Sequence, residues 1–190
     1  MKNLKFLLVI LMLIVFSSIT LAQNKWSAEF RPGVDFPTED FGDSNIKTGF
    51  GFEVTFAYRF MEHLSGYAGW GYNTFTIEDT DFDFDETGYT FGLQFIHPIG
   101  SSENLSYLLR AGAIYNHLEL EDNDGDLIDD SGHGFGWQVG AGIEYNLGNN
   151  WSLRPTIRYR SLSRDLEVED TPLNVDLNYI SFGLGISKTL

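Results

Sequence analysis

Residues 49–60 alternate without a break. Phe50, Phe52, Val54, Phe56, Tyr58 and Phe60 fall on one side of an extended chain, and Gly49, Gly51, Glu53, Thr55, Ala57 and Arg59 fall on the other. Successive side chains of a β-strand point to opposite faces, so this pattern predicts a strand with one aromatic face and one small or charged face. A helix would scatter both sets around its circumference. The scheme recurs at 134–145, with Phe135, Trp137, Val139, Ala141, Ile143 and Tyr145 against Gly134, Gly136, Gln138, Gly140, Gly142 and Glu144. It recurs again at 151–160 and 180–187. Four further segments, 26–34, 64–77, 88–97 and 105–118, follow it less cleanly: Leu108 and Ile114 fall on the polar side, and the alternation changes parity near Phe75.

The connections between these eight segments alternate in length. Long links cover 35–47, 78–86, 119–131 and 165–176, and short ones cover 61–63, 98–104 and 148–150. The long links hold 4, 6, 7 and 5 acidic residues, which is 22 of the 27 Asp and Glu in the chain. One end of the molecule is therefore intensely acidic. Short turns at one rim and long loops at the other predict an all-β, eight-stranded, antiparallel up-and-down barrel of the transmembrane kind. An even strand count returns both termini to the short-turn side, which is periplasmic in such barrels.

Alternation does not say which face is inside; side-chain volume does. Eight strands enclose a space only just wide enough for side chains, and an inward aromatic face would overfill it. The Gly, Ser and Thr face fits a narrow lumen, which sets a transmembrane barrel ahead of a soluble, lipocalin-like carrier. The aromatic face then meets lipid, with Trp26, Tyr58, Phe60, Tyr107, Tyr145 and Trp151 near the short-turn rim as an interfacial girdle. Closing the sheet pairs every backbone group, as hydrocarbon requires.

The first 22 residues do not belong to that pattern. Lys2 and Lys5 precede an apolar run at 6–16 that ends in Thr20 and Ala22, the plan of an export signal peptide. The run is shorter than the roughly 20 residues a membrane-spanning helix needs. Cleavage would leave a barrel domain over 23–190 with 10 basic and 27 acidic residues, a net charge of −17. A chain this acidic is not expected to bind nucleic acid. The absence of Cys means that export brings no disulfide framework.

The Gly-aromatic segments Tyr67 to Tyr72 (YAGWGY) and Gly134 to Tyr145 (GFGWQVGAGIEY), the RPTIRYR segment Arg154 to Arg160 and the closing strand resemble the small outer-membrane β-barrel proteins of the OmpA, OmpX and opacity-protein type. The resemblance spans 23–190 and extends to the outer membrane protein beta-barrel domain family. It implies a cell outer-membrane location and contact with outer-membrane lipid. Members of the group usually end in an aromatic residue, whereas this chain ends Lys188, Thr189, Leu190.

Three sets of residues carry candidate functions. Inward charges at Glu29, Arg31, Glu53, Arg59, Arg110, Glu144, Arg154, Arg158 and Arg160 make either a salt-bridged plug or an Arg-lined, anion-leaning channel, and the narrow interior favours the plug. In the third long link, Asp122, Asp124 and Asp126 alternate around Gly125, with Asp129 or Asp130 closing from downstream, and these carboxylates suit Ca²⁺. The competing reading is a solvated acidic loop. No cofactor is required, and no catalytic residue is assigned: Ser131 and His133 are a pair by sequence only. The function expected is therefore structural and surface-interacting, through acidic loops that meet a surface ligand or an envelope protein. A narrow channel is the alternative, and a lipid-modifying enzyme ranks behind both.

Overall fold

Among the described residues, nine strands form a single sheet: β1 (Trp26–Pro37), β2 (Gly49–Arg59), β3 (Leu64–Thr76), β4 (Phe82–Pro98), β5 (Leu105–Asp122), β6 (Leu127–Asp130), β7 (Gly134–Gly148), β8 (Trp151–Val168) and β9 (Thr171–Thr189). The structure is a computed structural model that describes residues 25–39, 45–80, 82–122, 126–168 and 171–190. The export-signal segment lies outside the described residues. Each strand pairs antiparallel with its neighbour, β1 pairs with β9, and β4 pairs with β5, so eight strands close into a barrel. The four-residue β6 stands outside this count. It folds back onto the far end of β5, where Glu119 faces Asp130.

The strands run further toward the acidic end than the sequence pattern indicated. β4 begins at Phe82 instead of 88, β5 continues to Asp122, and β8 and β9 pair all the way to Val168 and Thr171. Much of the expected links at 78–86, 119–131 and 165–176 is thus protruding hairpin. Acidic residues hid the alternation there, because a strand whose outer face carries Asp83 and Asp85 no longer reads as apolar against polar.

The expected change of parity near Phe75 does not occur. Along β3, Ser65, Tyr67, Asn73 and Phe75 are all buried and all point inward, in unbroken register with β4 from Leu64 to Thr76. What changes is the chemistry of the two faces. In the lower part of the barrel the outer face is apolar, with Phe56, Phe91, Leu93, Leu109, Phe182 and Leu184 each about half exposed. Higher up, the outer positions become Asp83, Asp85, His117, Glu119, Ser161 and Asn178. The inner positions there become Phe75, Ile77, Phe84, Ile114, Leu118, Leu120, Leu162, Val175 and Leu177, a single buried cluster. Physics demands this inversion. Where lipid surrounds the wall, apolar side chains belong outside; where water surrounds it, the same pleat must turn apolar side chains inward to form a core.

On β5 the outer apolar stretch runs from Tyr107 to Tyr115. Eight residues at about 3.4 Å each give roughly 27 Å along the strand, or about 21 Å along the axis at a tilt near 40°. That is close to the height of an outer-membrane apolar band, which is about 25 Å. The short turns are tight. Asn149 and Asn150 have φ of 51° and 65°, the left-handed pair that a two-residue hairpin turn needs, and Asn tolerates that region better than most residues.

Candidate functional site

The pleat of β1, β2, β4, β5, β7 and β8 aims a set of charged side chains at the barrel axis. Glu29 is its hub. Its carboxylate accepts hydrogen bonds from Arg31 Nη1 at 2.7 Å, Arg110 Nη2 at 2.6 Å and Arg154 Nη1 at 2.7 Å. Glu53 takes Arg31 Nη2 at 2.5 Å and Arg158 Nη1 at 2.8 Å, so Arg31 links the two carboxylates. Arg154 also reaches Glu144, Arg110 donates to Gln94, and Arg158 donates to Ser181. Neighbouring glycines make room: a Cβ on Gly183 would lie 2.8 Å from Arg31 Cδ, and one on Gly185 would lie 2.8 Å from Glu29 Oε1. The Gly-rich inner face is what lets long charged side chains cross so narrow a lumen.

A second centre lies nearer the acidic end. Glu86 accepts from Arg160 at 3.0 Å, from Asn73 at 3.0 Å, from Asn116 at 2.7 Å and from the Tyr179 hydroxyl at 2.5 Å. Arg164 donates to Asn116 above it. Glu86 lies in a segment that the alternation assigns to a loop, and Tyr179 and Arg164 lie just beyond the strands it predicts. All three continue the inward parity of their strands, so extending the alternation by a few residues would have found them. Arg59 lies at the edge of the inward set. It ends β2 at the short-turn rim, where it is exposed and lines the mouth of the lumen. Glu144 is intermediate, with 18% of its side chain exposed.

These layers divide the interior. A vestibule of about 350 Å³ opens at the short-turn end, lined by Lys25, Arg59, Gln94, Glu144 and Arg154 among others. Above Arg154 lies the Glu29–Glu53 network, then the Glu86 centre, then the apolar cluster around Phe75, Phe84, Leu118 and Leu177. Members of all three layers are almost fully buried.

The model of the outer membrane protein beta-barrel domain family matches residues 8–187. The chain belongs to this family. No curated protein sequence matches it. Among solved structures, Neisserial surface protein A is similar with a TM-score of 0.61 at 16% identity, covering 88% of this chain and 98% of that one. OprG from Pseudomonas aeruginosa gives 0.55 at 15% identity, over 89% and 99%. Ail, the attachment invasion locus protein of Yersinia pestis, gives 0.54 at 17% identity, over 87% and 98%. At such identities the likeness is one of fold.

Trp26, Tyr58, Phe60, Tyr145 and Trp151 are exposed on the outer wall at the short-turn end, and Tyr107 there is partly covered. Trp26 packs on Tyr58 with ring centroids 4.9 Å apart, and Lys188 Nζ lies 4.8 Å from the Trp151 ring. Of the five carboxylates considered for Ca²⁺, Asp124 lies outside the described residues, as does Gly125. Asp122 and Asp126 close a turn: Asp122 Oδ1 accepts from Asp126 N at 2.9 Å. Asp129 faces Leu120, whose side chain points inward, whereas Asp130 faces Glu119 on the outer wall. The two downstream carboxylates thus diverge across the β6 pleat. Ser131 Oγ accepts from Leu118 N and donates to Gly132 O, while the His133 ring stacks on His117 at 4.5 Å.

Proposed function

We propose that this barrel acts through its acidic hairpin end, as a surface-interacting protein of the outer membrane whose termini face the periplasm. The observation that carries the reading is the layered closure of the lumen. An ion would have to displace the Arg31 bridge between Glu29 and Glu53, then the Glu86 centre, then the apolar cluster. Breaking such buried pairs costs several kcal/mol each, too much for a conducting path. What remains to meet the outside is a rim carrying most of the chain's acids.

The orientation follows from the position of the short turns, which lie at the end where Ser27 pairs with Thr189, since outer-membrane barrels keep short turns periplasmic. Ligands that suit the acidic rim are cationic: basic segments of envelope or surface proteins, and divalent cations, with Ca²⁺ at the Asp122–Asp126 turn among them. Two similar structures are named for surface and attachment roles, which agrees with this reading. The alternative, an anion-leaning channel, draws support from the excess of lumen arginines over glutamates around Arg110, Arg154 and Arg158.

Folded protein in lipid nanodiscs should bind a polylysine probe, with affinity that falls as salt rises and falls again when loop acids are changed to amides. In planar bilayers the same preparation should show no stepwise conductance. Steady anion-selective steps, or probe binding insensitive to salt and to the amides, would replace this reading with the channel.

A further inference from the structure

On the outer wall, one pleat above Tyr115, three side chains bring metal-ligating atoms together. His117 Nδ1 lies 3.1 Å from Asp130 Oδ1 and 3.7 Å from Glu119 Oε1, and all three ligand atoms fall within 4.8 Å of one another. We propose that His117, Glu119 and Asp130 form a binding site for a divalent transition-metal ion of the Zn²⁺ class.

The scaffold is built for it. His117 and Glu119 are two residues apart on the same face of β5, and Asp130 is the register partner of Glu119 on β6. The hairpin that delivers Asp130 is clamped on both sides of residue 118: Leu118 N donates to Ser131 Oγ at 2.9 Å, and Ser131 N donates to Leu118 O at 2.9 Å. Gly132 N donates to Asp130 Oδ1 at 2.8 Å, which fixes the carboxylate with that oxygen turned toward His117, and a carboxylate oxygen has a further lone pair for a metal. His133 stacks on the His117 ring with an interplanar angle of 17°, and Tyr115 packs on His133 at 5.0 Å, so the imidazole is held from behind. A four-residue strand whose pairing delivers a carboxylate to this point is otherwise a costly ornament on a loop.

Charge gives the second reason. A proton on His117 Nδ1 satisfies one carboxylate, and the nearer is Asp130; Glu119 is left facing it within a rim that already gathers most of the chain's acids. A divalent ion neutralises both carboxylates at once. Geometry sets the metal class. With metal–ligand distances near 2.1 Å, the separations of 3.1 and 3.7 Å correspond to ligand–metal–ligand angles of about 95° and 124°, on either side of the tetrahedral value. An imidazole beside two carboxylates suits Zn²⁺ and its neighbours rather than Ca²⁺, which takes six or more oxygens. Water would complete the coordination.

The test uses the folded protein in detergent micelles, with Co²⁺ as a spectroscopic stand-in and Zn²⁺ as competitor. One equivalent of Co²⁺ should give the intense visible bands of a four-coordinate ion, displaced by Zn²⁺ and not by a hundredfold excess of Ca²⁺. H117A and D130N should each weaken Zn²⁺ binding at least tenfold. E121Q, which removes a nearby outer acid that is not in the cluster, should leave it within twofold. Retained heat-dependent gel mobility keeps each variant comparable, and His117→Gln serves if H117A fails to fold. Displacement by Ca²⁺, or equal losses in E121Q and H117A, would reduce the cluster to diffuse counterion binding and overturn the site.

Discussion

Replacing Glu29 with Gln removes one charge at the hub while keeping the side chain's shape. The wild-type carboxylate accepts from three arginines, Arg31, Arg110 and Arg154. The three do not depend on it equally. Arg31 keeps Glu53 and Arg154 keeps Glu144, whereas Arg110 keeps only the neutral amide of Gln94 among its described hydrogen bonds. The cost is therefore that of one buried cation losing its counter-charge, about 3–5 kcal/mol, and not three times that. Glu144→Gln serves as the comparison, because its partner Arg154 retains Glu29; its loss should be distinctly smaller. Reversible urea unfolding in lipid vesicles, followed by tryptophan fluorescence, measures both. A loss under about 1 kcal/mol for Glu29→Gln, or equal losses for the two variants, would show that the lumen network is wet and screened, and that the plug argument fails.

Leu118→Ala, inside the apolar cluster, should cost about 2–5 kcal/mol in the same unfolding assay even though it lies beyond the outer apolar stretch, because it leaves a cavity in a packed core. Asn150→Val should cost about 1–2 kcal/mol, since a β-branched residue is strained in the left-handed region that the β7–β8 turn requires. Millimolar Ca²⁺ should slow proteolysis of the β5–β6 hairpin more than equal Mg²⁺ does, and an Asp122→Asn, Asp126→Asn double variant should lose that difference; equal protection by both ions would leave only diffuse charge.

The barrel was legible in the sequence because lipid imposes a strict two-face pattern, and residues 49–60 display it without exception. Glu29, Arg31, Glu53 and Arg158 stood out as inward charges for the same reason. Legibility ended where the solvent changes. Beyond Tyr72, Tyr89 and Tyr115 the strands continue, but Asp83, Asp85 and Glu119 occupy the outer face, so the apolar-out pattern vanishes and the residues read as loop. Phe75 and Ile114 then looked like faults in the alternation when they are members of an inner core. Glu86 belongs with them, because it lies on the stretch of β4 whose acids read as loop. The His117, Glu119 and Asp130 cluster depends on pairing between β5 and β6, a tertiary register that no spacing along the chain reveals.

One continuous pleat changes solvent, from lipid outside and charge inside to water outside and an apolar core inside. The chain contains no Cys, so single-Cys variants along β5 can each carry one nitroxide without background labelling. In liposomes, labels at 109, 111 and 113 should collide readily with oxygen, which partitions into lipid. Labels at 119 and 121 should collide with a water-soluble nickel reagent, and labels at 114, 118 and 120 should be immobilised and shielded from both. Lipid-accessible labels at 118 and 120, or water-accessible ones at 109 to 113, would contradict the inversion and with it the position of the barrel in the membrane.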